Sequence, residues 1–465
     1  MSHELNRSVL SIDVGTSGIR VALFDEAGNQ TRGVSRERPG DFAEIDPDQL
    51  VEEVKKTADG LLTGFSSVAP ANMIAISAFW HSLMGVDANG RPTTPLLTWA
   101  DTRAVKEANE LRAEFDESEI HARTGCRFHP SYWPAKLRWL KTEQPEKFDA
   151  TRQWLGFAEY LCLRLFGDAA MSVSMASATG LFNQRTCDWD HEFIRRIRVP
   201  TETLPPISTD KTRIVVGDGA ANNIGGGCST KDKIALMVGT SGAMRVVYSG
   251  EPPAKLPSSL WSYRVSKERV VVGGALSDGG GLVQWLVQAL NTGNDTAALQ
   301  QQLAALEPDA HGLTILPFWS GERSTGWSAQ ARGGIFGLRQ QTTTLEIIRA
   351  ALESIAYRFA LIAEDLDEIA PGATVIATGN ALRSSPAWLQ IMADVLGRPV
   401  IFGGSPEASI RGAALLALEA VGTIGNLEEV SVPVDEVFEP DMQRHARYRE
   451  GLARQEALYA RLFEN

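Results

Sequence analysis

The tetrapeptide Gly15-Thr16-Ser17-Gly18 recurs in the second half of the chain as Gly239-Thr240-Ser241-Gly242, and its setting recurs with it. Each copy follows a β-rich apolar run, Val9 to Ile12 or Ile234 to Val238. Each precedes another, Ile19 to Phe24 or Ala243 to Tyr248. That pattern reads as strand, tight glycine turn, strand. One copy is an ordinary hairpin; a matched pair in matched context implies two related halves. Around them strands and helices alternate. In the first half Met73 to Ala78, Leu83 to Asp87 and Arg213 to Val216 read as strands, with helical periodicity over Pro134 to Lys141, over Phe157 to Phe166 and from Ala220 onward. In the second, Val270 to Gly273, Thr314 to Pro317, Thr374 to Ala377 and Pro399 to Phe402 read as strands, and Leu345 to Ile369, Ser385 to Leu396 and Glu407 to Val421 as helices. The expectation is an α/β protein of two domains, 1–230 and 231–465, joined near Cys228 to Lys233, with a ligand cleft between them.

Composition narrows the possibilities. With 43% hydrophobic and 22% charged residues the chain is an ordinary folding sequence, and its net charge of −12 argues against a sequence-independent grip on nucleic acid or an anionic membrane. No apolar run reaches the ~18 residues of a membrane helix, and Met1 to Asp13 has no basic region followed by an apolar core, so a cytoplasmic protein is expected. Cys126, Cys162, Cys187 and Cys228 lack the short paired spacing of a zinc cage and read as buried thiols.

An anionic ligand must therefore be held locally, and the two turns are suited to it. Consecutive backbone N–H groups and Thr and Ser hydroxyls donate to phosphate oxygens, and one turn from each half can grip a polyphosphate from both sides. The Gly-x-x-x-x-Gly-Lys-Ser/Thr loop is absent, so any nucleotide is bound by another design. Asp13, just before the first turn, is placed either to cap that turn or to face phosphates and hold Mg²⁺. Asp218, in Gly217-Asp218-Gly219, either caps a helix or takes the proton of an attacking hydroxyl, its flanking glycines then letting substrate approach. Trp80-His81 and Asp101 offer the mixture of rings and polar groups that sugars need. His129 beside Arg127 is a second polar candidate, or a solvated loop. Gly379-Asn380 and Arg383 suit a strand, turn and helix lying against a base.

Together these stretches resemble the FGGY carbohydrate kinases of the actin and sugar-kinase superfamily along nearly the whole chain. Asp13-Val14-Gly15-Thr16-Ser17 with Arg20 looks like the family's first phosphate loop, Gly239-Thr240-Ser241-Gly242 like the second, and Asp218 like its catalytic base. Gly333-Gly334-Ile335-Phe336-Gly337-Leu338, then Glu346-Ile347 and Ala350-Ala351-Leu352-Glu353, is similar to a family signature throughout. In a second signature Lys136, Trp139, Thr142 and Glu143 fit while Trp133 fills a small-residue position, which puts a large ring near the expected sugar site. Asn380 stands where a second glycine is usual, and Ser277-Asp278 where asparagines are usual before Gly279-Gly280.

The resemblance implies two ribonuclease H-like (actin-like ATPase) domains with an interdomain active-site cleft. It implies MgATP held mainly by the second domain through Gly239, Thr240, Ser241, Gly279, Gly379, Asn380 and Arg383, with Asp13, Thr16, Ser17 and Arg20 on the phosphates. Mg²⁺ would lie near Asp13 and Asp218. A small sugar or sugar acid would sit mainly on the first domain against Trp80, His81, Asp101, His129 and Asp218, in a monomer or homodimer. The stretches around His81, Asp101 and His129 look most like gluconate kinases, and Arg127 and His129 are candidate carboxylate partners. Xylulose or other polyol kinases, an actin-like ATPase and a non-catalytic sugar-binding protein are the alternatives. The tail from Asp441 to Glu464 has a helical pattern that packs either on the second domain or on a partner subunit.

Overall fold

The computed structural model describes residues 8–15, 18–38, 43–62, 73–208, 210–291, 296–403, 407–431 and 434–463. The first half is built on a sheet of β1 (Val9–Val14), β2 (Gly18–Phe24), β3 (Gln30–Glu37), β4 (Met73–Ala78) and β5 (Arg213–Gly217) in the order β5-β4-β1-β2-β3. β1 runs antiparallel to β2 and parallel to β4. The second half is built on β6 (Lys233–Val238), β7 (Gly242–Ser249), β8 (Trp261–Arg264), β9 (Arg269–Leu276), β10 (Thr374–Thr378), β11 (Val400–Gly403) and β12 (Val434–Phe438) in the order β8-β9-β7-β6-β10-β11-β12. Its inner run β11-β10-β6-β7-β9 repeats the first sheet strand for strand, so the two tetrapeptide turns occupy the same hairpin in each. This is the expected two-domain actin-like architecture.

The named helices are α1 (Asp218–Gly225), α2 (Gly280–Ala289), α3 (Thr344–Asp367), α4 (Asn380–Arg383), α5 (Ala408–Ala420) and α6 (Met442–Phe463). α1 starts two residues before the expected Ala220, because Gly217 is already its extended N-cap. α3 starts at a reciprocal cap: Glu346 N–H donates to Thr343 Oγ1 at 3.2 Å and Thr343 N–H to Glu346 Oε2 at 2.7 Å.

α5 crosses between the halves. It belongs by sequence to the second, yet Ile410, Ala413, Leu415 and Leu418 are buried with Ala75, Ala78 and Val216 of the first sheet in one apolar core. Its crossing with α1 is so close that a Cβ on Gly225 would lie 1.8 Å from Ala408 O, and one on Gly412 1.8 Å from Ala221 O. Ser11 Oγ donates to Ile410 O at 2.8 Å and Arg411 to Gly225 O at 2.6 Å across the same junction. The tail helix α6 packs on the second half. Tyr448 OH accepts from Arg349 at 2.5 Å, and Gln455 donates to Ile315 O and Ser354 O. Among the described residues no helix is long and apolar enough to cross a membrane.

Candidate active site

A cleft of about 1700 Å³ opens between the two halves and is lined by both. β1 ends in it with Asp13, 4% exposed. Asp13 Oδ1 accepts from Ser77 Oγ at 2.7 Å and Oδ2 from Arg20 at 3.2 Å, Arg20 being its register partner on β2. Burial holds the Asp13 carboxyl above its usual range, against the pull of Ser77 and Arg20. Thr16 and Ser17 lie outside the described residues.

β5 delivers Asp218 to the same cleft as the first residue of α1. Its Oδ1 accepts from Gly219 N–H at 2.7 Å, and among the described residues Oδ2 accepts no hydrogen bond. Burial, then the charge of Asp13, pushes its carboxyl up to about 6. The flanking glycines have a different reason from the one expected. A Cβ on Gly217 would fall 1.8 Å from Trp80 Cε2 and one on Gly219 2.7 Å from Trp80 Cζ3, so they make room for the indole rather than for substrate. Two carboxylates that line one cleft, each lifted by burial and Asp218 also by the charge of Asp13, are hard oxygen donors, a set that fits Mg²⁺.

In the second half Gly239, Thr240 and Ser241 line the cleft, and the start of α2 buttresses them from behind. Gly280 N–H donates to Gly239 O at 2.8 Å, and those of Gly279 and Gly281 to Thr240 O at 3.0 Å each. Gly279 therefore supports the turn and does not itself line the cleft, unlike Gly280 and Gly281. Gly379 has φ of +103° and faces Val238 O so closely that a Cβ would lie 2.2 Å away. Asn380 and Arg383 follow on the cleft wall; Arg383 lies 5.1 Å over the Phe402 ring and 3.9 Å from Asp435. Leu299, Leu303 and Trp388 give this end an apolar surface. Asp278, standing in one of the asparagine positions, accepts Ser320 N–H at 2.8 Å and Ser320 Oγ at 2.9 Å and so ties down the next cleft loop.

The other end is an aromatic box built from both halves. Trp80 meets Tyr263 edge-on at 5.1 Å, Tyr263 stacks on Trp261 at 4.3 Å, and Tyr132 OH and Tyr263 OH are 2.6 Å apart. His81 and Trp327 line it with positive φ of 66° and 57°, conformations that bulky residues hold only where surroundings impose them. Lys136 helps to impose the first, its ammonium donating to His81 O at 2.8 Å and Thr98 O at 2.6 Å. Burial holds His81 down at about 3 and His129 well below its usual range, so both rings are neutral at pH 7. His81 Nδ1 is 2.7 Å from Ala178 O and must carry the proton there, which leaves Nε2 an acceptor. His129 Nδ1 lies 2.9 Å from Ser131 Oγ and 3.2 Å from Ser131 N, and its Nε2 is buried without a hydrogen-bond partner among the described residues.

Three expectations fail here. Asp101 does not line the cleft. Its carboxylate is chelated by Arg103 at 2.6–3.1 Å, and Arg103 in turn lies 4.6 Å over the Trp139 ring and 2.7 Å from Glu44, so a buried acid has found its cation two residues away. Arg127 points away as well, to Glu117 at 2.7 Å and Ser258 O at 2.6 Å. Trp133 is core: it is 1% exposed, with Nε1–H donating to Ser82 O at 2.8 Å. In their place the cleft holds two arginines that the sequence reading passed over, Arg245 and Arg323. Arg245 is the lone charge in the otherwise apolar β7 pattern, a signal that was available; Arg323 has no local signal. Elsewhere Asp309, His311 and Glu353 bring three ligand atoms within 4.8 Å of one another. His311 Nε2–H already donates to Glu353 at 3.0 Å, and Arg349 and Arg454 take the carboxylates, so the cluster is a polar clamp beneath α6.

Two family models match the chain, the N-terminal domain of the FGGY family of carbohydrate kinases over residues 8–225 and its C-terminal domain over 234–421. A gluconokinase of Bacillus subtilis is 30% identical, the match covering 91% of this chain and 89% of that one. Among solved structures, a gluconate kinase and a ligand-bound xylulose kinase, both from Lactobacillus acidophilus, each give a TM-score of 0.88 at 27% identity, covering 98% of both chains.

Proposed function

The chain belongs to the FGGY family of carbohydrate kinases, and on that premise we propose that it transfers the γ-phosphate of ATP to a hydroxyl of a sugar acid, best of all gluconate, with Asp218 as general base. The observation that carries this reading is Asp218 itself: a carboxylate in a cleft shared by both glycine turns, one oxygen anchored by Gly219 N–H and the other without a partner among the described residues. The substrate hydroxyl donates to that free oxygen. As the hydroxyl oxygen attacks the γ-phosphorus, its proton passes to Asp218 and the bond to the β-phosphate oxygen breaks to release ADP. A carboxyl near 6 is ionised at pH 7 yet basic enough for this transfer.

The backbone N–H groups and hydroxyls of Thr240 and Ser241, in the turn that Gly239 shapes, together with Thr16, Ser17 and Arg20 of the first half, hold the phosphates in line. Mg²⁺, when bound by Asp13 and Asp218, supplies the neutralising charge on the phosphate oxygens. Gly379, Asn380 and Arg383 lie along the nucleoside. Trp80 covers the sugar, His81 Nε2 accepts one of its hydroxyls, and His129 Nε2–H donates to another oxygen. Since phosphoryl transfer is mostly positioning and electrostatics, this set is chemically sufficient. The equal likeness to a xylulose kinase favours a neutral ketose as the second reading. Coupled ADP release from MgATP across a panel of aldonates, ketoses and polyols tests both. Gluconate should be phosphorylated fastest, with turnover lost by about 10²- to 10⁴-fold in Asp218→Ala. A panel led by neutral ketoses sinks the sugar-acid reading; near-normal turnover in the variant removes Asp218 from its role.

A further inference from the structure

Five arginines are buried among the described residues: Arg245, Arg264, Arg269, Arg349 and Arg358. Four of them hold a carboxylate, Glu251, Glu419, Glu353 and Glu322 respectively. Arg245 holds none within 4.0 Å. It is 3% exposed, its Nε is unpartnered and its one hydrogen bond is a long one of 3.4 Å to Gly219 O. The half-buried Arg323, lining the same cleft, repeats the pattern. Among the described residues it forms no ion pair, leaves its Nε unpartnered, gives one N–H to Leu276 O at 2.8 Å and lies 4.8 Å over the Trp99 ring. The third member is His129, 5% exposed, whose Nε2 has no partner and which lines the same cleft against the Trp327 ring at 5.7 Å. Arg323 is close enough to act electrostatically on His129, Arg245 and Asp218 alike.

We infer that Arg245, Arg323 and His129, the last with its proton on Nε2 and its Nδ1 accepting Ser131 N–H, form a seat for the carboxylate of the substrate, and so set the preference for an acid over a neutral polyol. This rests on the sugar-acid reading above. Each of the three keeps a buried nitrogen without a hydrogen-bond partner among the described residues, and neither guanidinium has a paired carboxylate there, so a neutral polyol, which brings no negative charge, satisfies them poorly. A carboxylate brings two acceptor oxygens, four lone-pair directions and the missing negative charge. The nearby acids do not serve. Asp278 spends both oxygens on Ser320, and Asp218 carries one charge against two guanidinium groups. The position also favours a carboxylate over the γ-phosphate: Arg323 is packed on Trp99 and set among the histidines of the sugar end. His129 belongs to the first half and both arginines to the second, so an acid placed there ties the halves together.

Calorimetric titration of the full-length protein with D-gluconate and with D-glucitol, which replaces the carboxylate by CH₂OH on the same carbon chain, reads the seat directly and without nucleotide. The wild type should prefer gluconate by at least about tenfold, and Arg245→Gln and Arg323→Gln should each cut that preference by about 10- to 100-fold, with Arg323→Lys recovering part of it. Thermal melts establish that each variant is folded, and the wild-type preference decides the matter even if one variant is not. Equal affinity for the two ligands in the wild type overturns the seat. So does an equal loss for both ligands in the variants, which would place the arginines on the sugar chain at large. Absence of turnover with any sugar would remove the kinase reading while leaving the binding preference measurable.

Discussion

The two Gly-Thr-Ser-Gly turns read alike and are built differently. In the first, Val14 pairs with Ile19 and Gly15 N–H donates to Gly18 O; in the second, Val238 pairs with Gly242 and Gly239 N–H donates to Ser241 O, so the second loop is one residue shorter. Two residues before the glycine the first strand carries Asp13, paired across the hairpin with Arg20, where the second carries Met237 opposite Ala243. The second turn is instead clamped from behind by three amides of the Gly279–Gly281 run. The first turn thus meets the cleft with charge beside it, the second with rigid backbone geometry. The same hairpin carries an electrostatic feature in one half and a shape-fixing one in the other.

The largest break in that comparison should come from removing the charge. Asp13→Asn keeps the bond from Ser77 but loses the carboxylate, and kcat should drop by about 10²-fold or more, with a higher Mg²⁺ concentration needed for half-maximal rate. Met237→Leu, at the corresponding place in the second half, should leave kcat within about twofold, because a volume-conserving swap there touches shape alone. Steady-state kinetics of the two variants decide it: equal losses would mean that both turns work by geometry.

The α1/α5 crossing is the symmetric element between the halves, each helix following the outermost of the paired parallel strands, β5 and β11. Gly412→Ala would force a methyl to within 1.8 Å of Ala221 O, and Gly225→Ala would do the same at Ala408 O. Each should destabilise by about 1–3 kcal/mol or more, since backbone and not a flexible side chain must give way. Chemical denaturation should find the two alike. A loss confined to one variant would mean that the crossing is not shared evenly.

How much of this was legible follows the same division. The apolar strands β1, β4, β6 and β10, the helices Phe157–Phe166 and α3, and the repeated turn were all readable, because burial on both faces or along a stripe leaves a period in the sequence. β3 was not: Gln30–Glu37 is an exposed edge strand whose polar residues carry no alternation, and pairing with β2 alone defines it. Nor was the placement of α5 in the first half, since a helix pattern does not say which core it enters. In the site, residues at strand ends, Asp13, Asp218, Gly239 and Gly379, could be located from their strands. The aromatic box could not, because Trp261 and Tyr263 reach Trp80 and His81, and Trp327 reaches His129 and Tyr132, only through the association of the halves. Asp101 misled for the same reason in reverse, since the ion pair that removes it from the cleft lies two residues along the chain.

The smallest expected effect contrasts the two buried glutamates. Glu353 in the second half has Arg349 at 2.6 Å and His311 at 3.0 Å. Glu159 in the first accepts Gly156 N–H at 3.1 Å and has Oε1 buried without a partner, and burial pushes its carboxyl up to about 7. The folded protein therefore binds a proton at Glu159 between about pH 4.5 and 7 that the unfolded chain has released, so stability declines as pH rises through that window and is not regained above it. Glu159→Gln mimics the protonated form. It should raise stability by roughly 1 kcal/mol at pH 8 while changing little at pH 4, as read from denaturant midpoints at the two values. Glu353→Gln should be destabilising at neutral pH, because it strips a buried arginine of its counter-charge. If Glu159→Gln were destabilising at pH 8 instead, its carboxylate would have to be paired as well as that of Glu353, and the two halves would bury their acids by the same rule.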